Sequence, residues 1–172
     1  MADPVFRFAT LGLGGNIGDP VHAMAEALRQ LNSRDDCRIT AVSRVYRTPP
    51  WGKTDQADFF NACAGVMTTL APESLLDACL GIEKDMKRVR IERWGPRTID
   101  IDVLTFEGIE QAWGRLELPH PRMTGRGFVL MPLADIAENL VIDKRSVAEW
   151  LQGADVAGIV DAGFDDDWWR SL

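Results

Sequence analysis

The segment F-F-N-A-C-A-G-V-M-T-T, residues Phe59–Thr69, limits the fold more than any other part of the chain. Its side chains are mostly apolar at both odd and even positions, so neither face of a strand formed here suits exposure to water. A strand of this kind is typical of the interior of a sheet. We therefore predict that Phe59–Thr69 is an inner strand.

The flanking sequence predicts strands and helices in alternation. Strands are expected over residues 5–13, 37–47, 98–106 and 116–118, and a basic loop over 87–96. Helices are expected to begin at Asp19–Pro20 and at Pro72, with another around 130–136. Two interleaved β-α-β units predict an α/β (α+β) fold, a ferredoxin-like split β-α-β sandwich with a mixed central sheet and helices on one face. We assign residues 1–142 to this domain and 143–172 to a peripheral C-terminal extension of it.

Composition excludes several classes of partner. The net charge of −7 argues against nucleic acid or an anionic membrane as a partner. No apolar run approaches the length of a membrane span, and no signal peptide is apparent. The three cysteines form no pairwise motif, and Cys63 and Cys79 lie in apolar stretches, which indicates buried thiols in a reducing compartment. We expect a soluble, cytoplasmic protein.

Asp100 and Asp102 end the run R-W-G-P-R-T-I-D-I-D, residues 93–102. Positions i and i+2 of a strand share one face, so the two carboxylates project side by side. They repel each other unless a cation lies between them, and magnesium bound by carboxylates and substrate phosphates meets that demand. Taken alone, the pair is equally consistent with two side chains that cap backbone N–H groups or pair with Arg97.

A group of cations precedes this pair. Between Lys84 and Arg97 there are six cations and two anions, a balance of +4 within an acidic chain. A solvated face would explain the charge, but arginine also binds phosphate oxygens through two N–H groups at once. Beside carboxylates that hold a metal, such arginines indicate phosphoryl transfer. The candidates are Arg88, Arg90, Arg93 and Arg97.

Other candidate residues are less specific. The glycine turn L-G-L-G-G-N, residues 11–16, lacks a following G-K-[ST], so it predicts close approach of backbone to a neighbour or ligand. Glu83 could accept a hydrogen bond from a ligand or be a solvated helix residue. His120 lies between two prolines, and Arg126 and Phe128 follow it as a possible phosphate contact and aromatic wall.

Six strings, in this order, resemble 6-hydroxymethyl-7,8-dihydropterin pyrophosphokinase of folate biosynthesis. They are L-G-G-N-I-G-D (13–19), Y-R-T-P-P-W-G (46–52), D-F-F-N-A (58–62), R-W-G-P-R-T-I-D-I-D (93–102), L-P-H-P-R-M (118–123) and R-G-F-V-L-M-P-L (126–133). The resemblance runs from about Phe8 to Asn139. It implies a ferredoxin-like fold and transfer of the β,γ-diphosphate of ATP to the pterin hydroxymethyl group, with release of AMP.

The resemblance also implies roles for residues on the phosphate side. Two magnesium ions would be bound by Asp100 and Asp102, which count with Arg88 and Arg97 as the catalytic set. Trp94 would help to close the site over the pterin. The ATP-binding positions implied by the resemblance are Glu83, Arg88, Arg90, Arg97, Arg115, His120 and Arg126.

On the pterin side, the resemblance implies backbone contacts from Thr48 and Pro49, recognition of the ring edge by Asn61, and a ring held between Phe59 and Phe128. A flat heterocycle rich in hydrogen-bonding groups suits two aromatic faces and one amide. The resemblance also implies a substrate-binding position at the pocket rim for Trp51, which replaces a smaller aliphatic residue there. Phe59 replaces a frequent tyrosine, and Leu80 replaces a polar residue of some relatives. None of these departures touches the metal or arginine set.

Two other functions compete with this hypothesis. A non-catalytic ferredoxin-like module that binds a pterin or nucleotide has no need to keep the whole arginine–carboxylate set. An RNA-binding ferredoxin-like domain needs aromatic and basic residues on exposed strand positions, whereas the cluster of basic residues here lies on a predicted loop and the strands are largely apolar. We expect a monomer whose partners are the small molecules ATP and 6-hydroxymethyl-7,8-dihydropterin.

Overall fold

The structure is a computed structural model that describes residues 2–50, 55–93 and 99–172, with the backbone alone for 88–93. The strands are β1 (Arg7–Gly15), β2 (Cys37–Val42), β3 (Tyr46–Thr48), β4 (Phe59–Thr68), β5 (Asp100–Phe106), β6 (Val141–Ile142), β7 (Arg145–Ser146) and β8 (Val160–Asp161). The helices are α1 (Pro20–Asn32), α2 (Pro72–Arg93), α3 (Gly127–Ala137), α4 (Val147–Gln152) and α5 (Trp168–Ser171), with a 3-10 helix at Met123–Gly125.

The main sheet has the order β5-β1-β4-β3-β8, and β2 also pairs with β4. The predicted inner strand is confirmed, because β4 pairs with β1 along one edge and with β2 and β3 along the other. Every pairing among these strands is antiparallel, so the predicted mixed sheet is wrong. Interleaving two β-α-β units places strands of opposite direction next to each other.

One face of the sheet, which we call the first face, is covered by α1 and α2. Alternate residues of β1, namely Ala9, Leu11 and Leu13, are buried in this core. The predicted start of α1 is confirmed, because the side chain of Asp19 accepts the backbone N–H of His22 at 3.0 Å. On α2, the side chains predicted to share one face are buried in the same core: Leu75, Cys79, Ile82 and Met86.

The opposite face, the second face, is partly covered by α3, and α4 packs against α3. Cys63 of β4 and Leu104 of β5 pack there with Leu130 and Leu133 of α3. The prediction of helices on one face only is therefore wrong. The reason is the apolar character of the second face itself, since Cys63 and Leu104 have to be shielded from water.

Two element boundaries differ from the predictions. The strand expected over 37–47 is divided into β2 and β3, because the hydroxyl of Ser43 accepts the backbone N–H of Cys63 at 2.8 Å and so replaces a ladder carbonyl. The loop expected from Lys87 is helical as far as Arg93. Residues 84–93 contain neither Gly nor Pro, and most are good helix formers. The strand expected over 116–118 is a single bridge between Gln111 and Leu118.

The segment 143–172 packs against the rest of the molecule. Trp168 is 1% exposed in the first-face core, and its indole N–H donates to the carbonyl of Ser43 at 2.9 Å. Strand β8 extends the main sheet beside β3. The division at residue 142 stays a prediction, but its C-terminal part supplies core side chains. Within the described ranges, no helix is both long and apolar enough to cross a membrane.

Candidate active site

The site is built on the second face of the sheet, where β1 carries glycine instead of side chains. Gly14 of β1 is paired with Asp100 of β5 on one side and with Asn61 of β4 on the other. Two residues earlier, Gly12 lies between Asp102 and Cys63 in the same way. Strand residues two apart share a face, so Asp100 and Asp102 of β5 project on one side of β1 and Asn61 of β4 projects on the other. Between them, β1 has glycine at positions 12 and 14 and therefore no side chains on this face.

The backbone of Gly14 lies close to the side chain of Asn61. A Cβ atom on Gly14 would overlap Oδ1 of Asn61, so the amide would have to turn aside to make room for it. A Cβ atom on Gly12 would meet the side chain of Leu104 at 3.4 Å, which is ordinary contact. The glycine turn was predicted to permit close approach of backbone to a neighbour, and at Gly14 that neighbour is Asn61.

A cavity of about 340 Å³ lies over these strands, beneath the N-terminal turn of α3. Its size suits a small-molecule ligand. The predicted site residues that line it are Thr48, Phe59, Asn61, Asp100, Asp102, Arg126 and Phe128. The structure therefore brings together side chains from β3, β4, β5 and α3, which are far apart along the chain.

The end of the cavity formed by Thr48, Phe59, Asn61 and Phe128 contains a polar group without a partner. Oγ1 of Thr48 is buried and has no hydrogen-bond partner within the part of the chain that the structure describes. A buried hydroxyl without a partner costs about 1–3 kcal/mol, so its presence beside a cavity points to a polar ligand. Asn61, Phe59 and Phe128 are half-buried around the same space, which provides one amide and two aromatic rings.

The carboxylate end of the cavity has the oxygen donors that magnesium prefers. Asp100 and Asp102 are both exposed to the cavity, and neither forms an ion pair with another described residue. The described residues contain no group of three or more His, Cys, Asp or Glu side chains that could hold a metal by themselves. Two carboxylates completed by phosphate oxygens and water fit magnesium, which seldom has an all-protein shell.

His120 lies close to this end of the cavity. Its backbone N–H donates to the carbonyl of Leu104 at 2.8 Å, and its Nδ1 accepts the N–H of Arg122 at 3.2 Å. Burial lowers the pKa of His120, against the opposing effect of the nearby Asp102 carboxylate. A neutral ring with Nδ1 as acceptor carries its proton on Nε2, which makes that nitrogen a hydrogen-bond donor.

Arg126 approaches the cavity from the start of α3. Its guanidinium carbon lies 5.6 Å from the centre of the Phe128 ring, within cation–π range. The same stretch of chain therefore presents one cation and one aromatic ring to the cavity.

Four of the predicted site residues that the structure describes do not line the cavity: His120, which lies near its carboxylate end, and Glu83, Arg115 and Pro49. The carboxylate of Glu83 accepts the backbone N–H of Ile101 at 2.6 Å, at the outer edge of β5. Arg115 pairs with Asp77 at 2.7 Å, and both side chains are largely exposed. Pro49 is exposed at the end of β3. The structure gives Glu83 and Arg115 partners within the protein, which residue type and order along the chain did not reveal.

Several predicted site residues lie wholly or partly outside the described part of the chain. Trp51, Trp94 and Arg97 lie outside the described residues, and the side chains of Arg88 and Arg90 are outside them as well. Their roles stay predictions.

Sequence reasoning missed part of the cavity lining. Cys63 and Leu104 line it because each is two residues beyond a predicted site residue on its strand, Asn61 and Asp102 respectively. The two-residue spacing along each strand could have predicted that Cys63 and Leu104 line the cavity. Val129 of α3 also lines the cavity, and no pattern in the sequence distinguished it from other core positions.

Known proteins match this chain over most of its length. The family 7,8-dihydro-6-hydroxymethylpterin-pyrophosphokinase (HPPK) matches residues 10–138. A 2-amino-4-hydroxy-6-hydroxymethyldihydropteridine pyrophosphokinase of Methylorubrum extorquens is 50% identical over 88% of this chain and 96% of its own length. The proteins of the same name from Pseudomonas aeruginosa and Bacillus subtilis are 41% and 38% identical, each over 87% of this chain and at least 93% of their own length.

Solved structures support the fold. The wild-type HPPK-DHPS of Plasmodium falciparum superposes with a TM-score of 0.66 over 86% of this chain, at 16% identity. An HPPK-DHPS in complex with substrates gives a TM-score of 0.68 over 86% of this chain, at 15% identity. This chain spans 41% and 44% of those two longer chains. The ferredoxin-like prediction is thus confirmed by structural similarity, and the sequence matches show that the chain belongs to the 7,8-dihydro-6-hydroxymethylpterin-pyrophosphokinase family.

Proposed function

We propose that this chain transfers the β,γ-diphosphate of ATP to the hydroxymethyl group of 6-hydroxymethyl-7,8-dihydropterin, a step of folate biosynthesis. The observation that carries the proposal is the pairing of Gly14 with Asp100 on one side and with Asn61 on the other. One cavity therefore has a carboxylate end suited to a metal–phosphate group and an amide–aromatic end suited to a heterocycle. The two reacting groups would meet above the bare strand between them.

The pterin end is proposed to select the acceptor. Asn61 can donate to and accept from the ring edge, and the unpaired Oγ1 of Thr48 offers a further contact. Phe59 and Phe128 would hold the ring between two aromatic faces. Fixing the ring in this way would present the hydroxymethyl oxygen to the diphosphate, and alignment of this kind accounts for much of the catalysis in phosphoryl transfer.

The carboxylate end is proposed to bind magnesium and ATP. Asp100 and Asp102 would hold two magnesium ions, which when bound neutralise charge on the phosphate oxygens. Arg126 and Nε2 of His120 would add positive charge and a hydrogen bond on the nucleotide side, with Arg88, Arg90, Arg97 and Trp94 closing the site. In the reaction, the hydroxymethyl oxygen bonds to the β-phosphorus while the bond from that phosphorus to the α,β-bridging oxygen breaks. AMP leaves, and the hydroxyl proton is released.

The assay mixes the purified chain with ATP, magnesium and 6-hydroxymethyl-7,8-dihydropterin and separates the nucleotides. We expect AMP and the pterin diphosphate in equal amounts, and no AMP when the pterin is omitted or magnesium is chelated. ADP as the product would contradict diphosphate transfer. Pterin binding by calorimetry without AMP formation would favour the alternative, a non-catalytic pterin- or nucleotide-binding module.

We also propose that the enzyme is a cytoplasmic monomer. Its three cysteines are buried and unpaired, which agrees with a reducing compartment. The monomeric state rests on the resemblance to the family and is tested by light scattering of the chain at assay concentrations, where a mass of twice 19.1 kDa would contradict it.

A further inference from the structure

Residues 155–161, which we call the bracing segment, run past both walls of the pterin end of the cavity. The segment lies outside residues 10–138, the part of the chain that the family matches. Most of its residues are exposed, and Val160 is 44% exposed, so burial of apolar surface explains little of its position. Its position is instead set by specific contacts with β3, Pro49 and the start of α3.

The first contact is with β3, the strand that ends in Thr48. Within β8, Val160 and Asp161 pair with Arg47 and Tyr46, and the N–H of Ala162 donates to the carbonyl of Val45 at 2.8 Å. Strand β3 is thus held between β4 and the bracing segment. A three-residue strand with backbone pairing on both sides has little freedom to shift along the sheet.

The second contact is with Pro49, the residue after Thr48. Gly158 has a φ of +78°, and a Cβ atom there would lie 3.0 Å from Cγ and 3.1 Å from Cδ of the Pro49 ring. The backbone of the bracing segment therefore rests directly on this proline. Glycine is suited to the position for two reasons, its left-handed conformation and the closeness of the ring.

The third contact is with the start of α3. A Cβ atom on Gly127 would overlap the carbonyl oxygen of Asp155 and lie 3.2 Å from Cγ1 of Val156. Gly127 stands between Arg126 and Phe128, which both line the cavity. The backbone of the bracing segment is thus in direct contact with this turn of α3.

A polar cluster joins the same three elements. The guanidinium of Arg44 pairs with Asp161 of β8 at 3.3 Å and with Asp135 of α3 at 3.2 Å. Tyr46 of β3 donates its hydroxyl to Asp135 at 2.9 Å. The bracing segment, β3 and α3 are therefore linked by side chains as well as by backbone contacts.

We propose that the bracing segment positions the pterin-binding walls, by holding Thr48 of β3 and Phe128 of α3 at the separation that a pterin ring requires. Its residues act through Pro49 and Gly127 and do not line the cavity. This proposal rests on the proposed function, since it concerns the acceptor end of the same site. It predicts that disturbing the segment where it contacts Pro49 weakens pterin binding and spares ATP binding.

The test compares Gly158→Ala with the matched control Gly163→Ala in the full chain. Both glycines have positive φ, +78° and +85°, so alanine is strained equally in backbone conformation at each. Only at Gly158 would the added methyl group press on Pro49, because a Cβ atom on Gly163 has nothing within 4 Å among the described residues. Gly127→Ala and its control Gly125→Ala, which also has open space for a Cβ atom, repeat the comparison on α3.

For Gly158→Ala we expect the pterin KM, and the pterin Kd measured without ATP, to rise at least ~5-fold relative to Gly163→Ala, with the ATP KM within ~2-fold. If Gly127→Ala does not fold, the Gly158 pair decides the question alone. Equal pterin constants in Gly158→Ala and Gly163→Ala, or an equal rise in the ATP KM, would overturn the proposal. The wild-type chain is assayed first. If wild type forms no AMP, the proposed function is refuted. If wild type is active but Gly158→Ala and Gly163→Ala do not differ, only the bracing role is refuted.

Discussion

The hydroxyl group of Tyr46 on β3 lies 2.9 Å and 3.1 Å from the two carboxylate oxygens of Asp135 on α3. Tyr46 is paired with Asn61 in the sheet, so this hydrogen bond fastens α3 above the strands that form the floor of the cavity. Burial and the carboxylate of Asp135 raise the pKa of Tyr46 to about 12.

We expect Tyr46→Phe to lower the free energy of unfolding by about 1–3 kcal/mol at pH 8, because it removes a hydrogen bond to a charged acceptor. The measurement is urea denaturation. Arg47→Lys, at the exposed neighbouring position of β3, serves as the control and is expected to change stability by less than ~0.5 kcal/mol. Equal stability of Tyr46→Phe and wild type would mean that the hydrogen bond contributes nothing.

The same pair predicts a pH dependence. The folded protein holds the Tyr46 proton more tightly than the unfolded chain, whose tyrosine pKa is about 10. The stabilisation is therefore complete below pH ~10 and is lost as the pH rises towards 12, by about 1 kcal/mol at pH ~11. Wild type should lose stability more steeply than Tyr46→Phe over this interval. The cysteines are present in both proteins, so parallel curves would refute the assignment to Tyr46.

Gly14→Ala is expected to impair pterin binding selectively. Its Cβ atom would overlap Oδ1 of Asn61, so the amide must turn away from the ring edge, and we expect the pterin Kd to rise by ~10-fold or more. Gly12→Ala, on the same strand, meets Leu104 at ordinary contact distance and should raise the pterin Kd less. The measurement is calorimetric titration with pterin, and equal effects of the two substitutions would contradict the role given to Gly14.

Asp100→Asn and Asp102→Asn are each expected to lower the rate of AMP formation by at least about 100-fold, because they keep the shape of the side chain and remove the charge that binds magnesium. Glu107→Gln, an exposed acid just beyond β5, should keep the wild-type rate. Thermal unfolding checks that each variant is folded. A wild-type rate in the Asp100/Asp102 double variant would exclude the metal assignment.

Glu83 is expected to act on β5 through its hydrogen bond with the N–H of Ile101. Glu83→Ala leaves that N–H without its acceptor and should cost about 1–3 kcal/mol in unfolding free energy. Glu83→Gln keeps a side-chain oxygen that can accept the hydrogen bond, and it removes the negative charge. Burial and the carboxylate of Asp100 raise the pKa of Glu83, which means that both disfavour this charge. Glu83→Gln should therefore keep most of the stability at pH 7. Denaturation curves decide, and equal losses in the two variants would show that the charge matters more than the hydrogen bond.

Trp168 is expected to be essential to the first-face core. Trp168→Ala should lower the free energy of unfolding by about 3–5 kcal/mol, because it removes a buried ring and its hydrogen bond to the carbonyl of Ser43. Trp113→Ala is the control, since Trp113 is 72% exposed and should change stability by less than ~0.5 kcal/mol. Similar losses in the two variants would mean that residues near the C-terminus contribute little to the core.

Local patterns predicted much of the fold. The apolar run of β4, the cap at Asp19 and the apolar spacing of α2 depend on neighbours within a few residues, and each was confirmed. Patterns failed where a distant partner changed the outcome. The hydroxyl of Ser43 interrupts a strand because it bonds to Cys63, and Trp168 is buried because the chain returns to Ser43. The two residues of each pair, Ser43 with Cys63 and Ser43 with Trp168, are too far apart along the chain for a local pattern to include both.

The site divides in the same way. The sequence by itself determined that Asp100 and Asp102 share a face, since a strand repeats every two residues wherever it lies. It also supplied the strings that identify the family. Only the tertiary structure decided that Gly14 separates Asp100 from Asn61, that Glu83 is bonded to Ile101, and that residues 155–161 lie against Pro49 and Gly127. The physical reason is the separation along the chain of the residues that interact. Periodicity and capping involve near neighbours, whereas strand register, burial and close backbone contacts involve segments that meet only when the chain folds.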